Sequence, residues 1–408
     1  MRSMVDPRTL ALALLVGLAP AALIGCSTDG DDAGGAAADT APTDTTGEDS
    51  ATDEDTAAVD TSGEDADEDV EPGDTAGEDT ADAALPDTAG IDAEALYTTY
   101  CAFCHGDNGQ GYVSDNANAL AHPEFLRIAD DDFVRTAIIE GRPGTPMSPW
   151  GAERGGPLDA AEVEAITQYI RAWADAEPLD LDDVVVDGSA LRGQGPYAVH
   201  CAACHGDEGQ GVSAISLNNP WFLATASDGF IQHTIVNGRP GTPMPSYQGT
   251  LSDQAIADIT ALIRSWQTPT DGSTIEPFEQ DLTRAPLHPD GAPADFTLRE
   301  DRFVPGEQVH AAMEAGENFV LVDARPTADY LGGHIEGAVS VPFYDVERAI
   351  TDLPRDLWIV TYCGCPHAVS GQARDALAEA GFERVAVLDE GFYWWQDQGY
   401  PVREGETP

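Results

Sequence analysis

Cys101-Ala-Phe-Cys104-His105-Gly-Asp-Asn-Gly-Gln-Gly111 returns about a hundred residues later as Cys201-Ala-Ala-Cys204-His205-Gly-Asp-Glu-Gly-Gln-Gly211. A Cys-x-x-Cys-His run is a signature of covalent haem attachment. One helical turn presents two thiols to the haem vinyl groups, and the next side chain offers an imidazole to the iron. Occurring twice, it is a poor candidate for coincidence. Two covalently attached haems c are therefore expected, on Cys101, Cys104, Cys201 and Cys204, with His105 and His205 as iron ligands. A single zinc held by four cysteines is the competing chemistry. It fails because the pairs lie too far apart and each runs directly into His.

Each repeat also offers a ligand for the opposite haem face. Gly141-Arg-Pro-Gly-Thr-Pro-Met147 is identical to Gly238-Arg-Pro-Gly-Thr-Pro-Met244, and beyond the first few residues the only other methionine is Met313. The Pro/Gly loop is stiff enough to hold a thioether at fixed distance. Met147 and Met244 are the expected axial ligands. His122 and His233 are rivals, but they do not align between repeats. Around these loops the periodicity predicts helices. One spans 92–100 and feeds Cys101. Others carry Val163, Ile166, Tyr169, Ile170 and Trp173, or Ile256, Ile259, Ile263 and Trp266, on one face. The repeats align almost throughout, at 91–176 and 188–267 with a linker at 177–187, which indicates a tandem duplication and not a solenoid.

With the attachment motif, the methionine loop and the aromatic-bearing last helix in order, residues 91–267 resemble two class I cytochrome c domains. The resemblance implies all-α domains with low-spin, six-coordinate haems that transfer electrons and leave no position open for substrate. Methionine ligation favours ferrous iron relative to two histidines.

Beyond a linker at 268–293 the pattern changes. Strands at 319–323, 358–362 and 385–388 alternate with helices at about 305–315 and 371–380, as in a parallel α/β domain. Residues 294–405 resemble the rhodanese-like domain through Val322-Asp-Ala-Arg325, Asp329-Tyr330, Gly333-His-Ile-Glu-Gly-Ala338, Tyr362-Cys363, and Leu388-Asp-Glu-Gly391 with Trp395. The whole is multidomain: two helical domains, then a parallel sheet flanked by helices. Cys363, between a buried strand and a helix, is placed for a lowered pKa and an anion cradle. The resemblance implies that it accepts sulfane sulfur as a persulfide. The loop Cys363-Gly-Cys365-Pro-His367-Ala-Val369-Ser370 lacks the Arg or Lys that greets an anionic donor, which puts thiosulfate in doubt. It also lacks the Arg of the related phosphatase-type loop at Val369. Cys365 is a candidate resolving thiol. The alternatives are a non-catalytic docking module, and a Cys365/His367 metal site with too few ligands to favour. Asp323 and Arg325 are expected to be structural.

The amino terminus reads as an export signal over 1–25: Arg2 and Arg8, then an apolar run at 10–23 too short to span a bilayer comfortably. It ends in Leu23-Ile-Gly-Cys26, which resembles a bacterial lipobox and implies acylation of Cys26. Residues 26–90 form an acidic tether. About two dozen acids, no Lys or Arg, and a Gly-Glu-Asp triplet recurring at Gly47, Gly63 and Gly77 leave nothing to bury. A net charge of -54 excludes nucleic acid and adsorption to anionic lipid. The expectation is an exported, lipid-anchored dihaem cytochrome c on the periplasmic side. It would serve protein donors and acceptors of the respiratory chain, with a sulfur-compound donor for Cys363. A second reading is a sulfurtransferase or sulfur-oxidising enzyme whose electrons pass to the haems.

Overall fold

The computed structural model describes residues 85–408 apart from 115, 174–177, 276–277, 279 and 365–366. The export segment, Cys26, most of the tether and Cys365 lie outside the described residues. No helix among the described residues is long and apolar enough to cross a membrane.

Both repeats build the same helical frame. In the first, α1 (Ala93–Tyr100) and the short α2 (Ala102–His105) are followed by α3 (Pro123–Leu126), α4 (Asp131–Glu140) and α5 (Ala160–Arg171). In the second, α6 (Ala190–His200), α7 (Ala202–His205), α8 (Pro220–Thr225), α9 (Asp228–Asn237) and α10 (Asp253–Arg264) take the same roles. Sequence sets the ends. Asp159 and Glu162 form a reciprocal capping box at α5, and the Ser252 hydroxyl accepts the Ala255 N–H at the start of α10. The apolar stripes of these last helices face inward: Ile166 and Ile259 are fully buried. Tyr97 and Tyr197 fill the space beneath the Cys-x-x-Cys-His turns, each meeting the last Trp of its repeat edge-on, at 4.9 Å for Trp173 and 5.2 Å for Trp266.

The repeats pack on each other through α4 and α9, where the rings of Phe133 and Phe230 stack at 5.0 Å. The contact is reciprocal. His122 caps α3 and donates from Nε2 to Pro240 O at 3.1 Å, while Asn219 caps α8 and donates to Pro143 O at 3.0 Å.

The C-terminal unit is a five-stranded parallel sheet in the order β1 (Phe303–Val304), β6 (Val385–Leu388), β5 (Ile359–Tyr362), β2 (Val320–Asp323), β4 (Val339–Ser340). β3 (His334–Ile335) pairs antiparallel with β7 (Val402–Arg403). α11 (Gly306–Glu314), α12 (Thr327–Gly332), α13 (Val346–Ala349), α14 (Ala368–Glu379) and α15 (Gly391–Asp397) connect the strands. β2, β5 and β6 are buried at every position, which explains their unbroken apolar runs. The helical N-terminal part and the parallel C-terminal sheet are those expected. One helix differs. α14 starts at Ala368, three residues before Gly371, because the poor helix former Gly371 lies inside it, close under the Arg302 guanidinium.

Candidate haem sites and the Cys363 loop

The Cys-x-x-Cys-His turns are closed by the same backbone hydrogen bonds in both repeats, from Cys101 N to Tyr97 O and Cys201 N to Tyr197 O through to Gly106 N and Gly206 N. Cys101 and Cys201 end one helix and cap the next, and His105 and His205 close the following turn. Gly106 and Gly206 then turn the chain with φ of +80° and +85°. Their carbonyls accept the hydroxyls of Tyr97 and Tyr197, both at 2.8 Å. Gly109 and Gly209, also at positive φ, have no room for a Cβ, which would lie 2.3 Å and 2.6 Å from the rings of Trp173 and Trp266.

Both imidazoles are fixed by the same device. His105 Nδ1 donates to Asn118 O and His205 Nδ1 donates to Ile215 O, each at 2.9 Å. That tautomer leaves Nε2 with a lone pair for a metal. Burial holds both imidazoles below the ordinary His range, which keeps them neutral. Burial also pushes the Cys101 thiol up to about 12 and the Cys201 thiol up to about 11.

The methionine loops are equally matched. Arg142 N–H reaches Met147 O at 2.7 Å and Arg239 N–H reaches Met244 O at 2.9 Å. The hydroxyls of Thr145 and Thr242 each accept the methionine N–H at 3.2 Å. Cys201, Cys204, His205 and Met244 line one cavity of about 1080 Å³, counting its mouth, together with Tyr112 and Asn116 of the first repeat. Met147 packs partly buried on the core that holds Cys101.

Arg142 and Arg239, which the sequence analysis passed over, are buried enough that both guanidiniums fall to about 10. Arg239 lies over the Phe125 ring of the other repeat at 5.2 Å, and its Nη1 has no hydrogen-bond partner among the described residues. A buried donor without an acceptor is costly. A haem brings carboxylates, so the cavity fits one in every respect: apolar walls, two thiols, imidazole, thioether and an unpaired guanidinium nitrogen. The rival ligands are engaged elsewhere, His122 with Pro240 O and His233 with Glu124 at 2.9 Å.

Family models match the same segments. Residues 89–170 and 188–263 match the model described as cytochrome C oxidase, cbb3-type, subunit III, and residues 306–398 match the rhodanese-like domain. The chain joins two cytochrome c domains to a rhodanese-like domain. A cbb3-type cytochrome c oxidase subunit CcoP of Azospirillum sp. (strain B510) is 28% identical over 198 residues, covering 42% of this chain and 60% of that protein. An HTH-type transcriptional regulator, Rv0324, of Mycobacterium tuberculosis is 37% identical over 92 residues, 22% of this chain and 40% of that protein. The chain thus spans between two fifths and three fifths of these relatives. A solved rhodanese-like domain, from the Alr3790 protein of Anabaena sp., is 31% identical, with a TM-score of 0.24, covering 26% of this chain and 80% of that one. Cytochrome c domains imply haem c.

In the rhodanese-like domain Cys363 follows β5, is 1% exposed, and has its Sγ 3.2 Å from Ser370 Oγ. Cys365 falls outside the described residues. His367, at φ +73°, stacks on Phe303 at 3.9 Å and donates from Nε2 to Asp389 at 2.9 Å. Among the described residues no three His, Cys, Asp or Glu side chains form a metal-binding group. Asp323 and Arg325 form a buried pair. Arg325 Nη2 donates to Asp323 Oδ2 at 2.6 Å and to Gly333 O at 2.5 Å, and its guanidinium sits 4.1 Å from the Phe392 ring centre. That arrangement ties the strand end to the loop after α12.

Proposed function

We propose that this chain is a dihaem c-type cytochrome that carries electrons outside the inner membrane, exported and anchored by lipidation of Cys26. The observation that carries the reading is the duplicated site, in which a neutral, oriented His and a braced Met come from the same motifs in both repeats. Cys101 and Cys104, and Cys201 and Cys204, would hold two haems c covalently. His105 with Met147, and His205 with Met244, would bind the two irons. Bound there, each haem supplies a one-electron iron couple, poised high by the thioether. The residues of the chain orient the imidazoles, and the unpaired Nη1 of Arg239 would be available to donate to a haem carboxylate. With His and Met both bound, neither iron would keep a position for substrate. Similarity to cbb3-type oxidase subunits supports donors and acceptors of the respiratory chain as partners. The mass and spectrum of the matured protein test the haem count and the ligands.

The rhodanese-like domain would accept sulfane sulfur on Cys363, with Cys365 as a resolving thiol. A second reading, in which electrons from sulfur oxidation pass to the haems, draws on one contact: Tyr393, beside the Cys363 loop, hydrogen-bonds Thr145 in the first methionine loop. A sulfur atom gained at Cys363 on exposure to polysulfide, and absent in Cys363→Ser, supports acceptance. No mass gain leaves the domain as a docking module.

A further inference from the structure

The two methionine loops have one sequence and one fold, but different neighbours. Tyr393 Oη donates to Thr145 O at 2.6 Å, and Ser148, next to Met147, hydrogen-bonds the half-buried Asp329 of the rhodanese-like domain. In the second copy Pro245 stands in the place of Ser148, and among the described residues no hydrogen bond from the rhodanese-like domain reaches residues 238–245.

Tyr393 belongs equally to the sulfur site. Its ring lies against Gly364, where an added Cβ would come within 2.8 Å of the ring Cε2. The neighbouring Phe392 N–H donates to Cys363 O at 2.8 Å. On the far side, the Thr145 hydroxyl that follows from the Tyr393 contact accepts the Met147 N–H. Cys363 and Met147 are therefore linked by three hydrogen bonds, with the Tyr393 ring packed on the loop between them. Packed contacts of this kind have little slack to absorb a displacement.

We propose that Tyr393 is a positioning residue for the first haem: it couples the shape of the Cys363 loop to the hold on Met147, so that the first haem, and not the second, senses the state of the sulfur site. An added sulfur at Cys363 changes the loop on which Tyr393 rests, and the identical second loop serves as an internal control. The proposal rests on Met147 being an iron ligand.

The test uses the full-length, haem-loaded protein in the ferric state, titrated with imidazole, which competes with methionine for iron. The readout is loss of the methionine–iron charge-transfer band. Met147→Ala removes about half of that band if Met147 is a ligand. Tyr393→Phe keeps the ring and deletes one hydrogen bond, so imidazole binds one of the two haems roughly fivefold more tightly while the other is unchanged. Gly364→Ala, a change within the sulfur loop, shifts the same haem in the same direction because its Cβ displaces Tyr393. In the Met147→Ala background, Tyr393→Phe leaves the remaining haem untouched. Unchanged affinity at both haems in both variants, or equal shifts at both haems, overturns the coupling. If Met147→Ala leaves the band whole, the ligand assignment falls and the coupling falls with it. If the band halves and Tyr393→Phe is silent, the coupling alone is wrong.

Discussion

Arg171 and Arg264 end the matched helices α5 and α10, and each spans a gap of about forty residues to the same targets. Arg171 donates to Leu126 O and Ala129 O, both at 2.6 Å, and to Asp131 at 2.9 Å. Arg264 donates to Leu223 O and Ala226 O, both at 2.5 Å, and to Asp228 at 2.7 Å. Replacing either by Met keeps most of the aliphatic stem and deletes the three hydrogen bonds that the two share, together with a longer one from Arg264 to Gln267 at 3.3 Å. Such bonds contribute about 1.5–3 kcal/mol each when buried. The side chains are 21% and 27% exposed, so water recovers part of the loss and the Asp pairs contribute little. About 2–4 kcal/mol remains for each variant. For a domain of this size that lowers the midpoint of unfolding by on the order of 10–20 °C. Calorimetry of the matured protein, with each variant affecting its own repeat's transition, is the assay. Shifts below about 2 °C in both variants would refute the reasoning, and a large loss in one repeat with none in the other would refute the equivalence of the two clamps.

Two further outcomes follow from buried groups. Burial raises the Tyr97 and Tyr197 phenols well above their ordinary value. Their contribution to stability is thus complete below about pH 10, the unfolded phenol's range, and is lost as pH rises beyond it; denaturation titrations of Tyr97→Phe/Tyr197→Phe should show a shallower alkaline loss than wild type. Arg239→Leu removes a buried positive charge from the second cavity and should lower one of the two haem potentials by about one tenfold step of a one-electron couple, ~59 mV, in a spectroelectrochemical titration, leaving the other in place.

Much of the architecture was readable because local rules and the fold agree. The apolar runs at 319–323, 358–362 and 385–388 announced buried parallel strands, and Asp159 and Ser252 are residue types that cap helices. The Cys, His and Met positions are marked in the sequence by two motifs that each occur twice. What escaped was tertiary. Nothing in the local sequence marks Arg171 and Arg264, since their carbonyl partners lie about forty residues away. The repetition of Arg142 and Arg239 in two identical loops was a signal that could have marked them. His122 and His233 looked like spare ligands until the packing of the two repeats engaged them. Tyr393 carried no sequence mark at all, because its partner Thr145 stands 248 residues away in another domain.

The central claim is that two closed His/Met haem sites share one chain. Intact mass combined with the ferric spectrum of the matured protein and of Met147→Ala, Met244→Ala and the double variant tests it most directly. Two covalent haems, a methionine–iron band that falls by about half in each single variant, and its disappearance in the double variant are the predicted result. One haem per chain, or a band that survives the double variant, would contradict it.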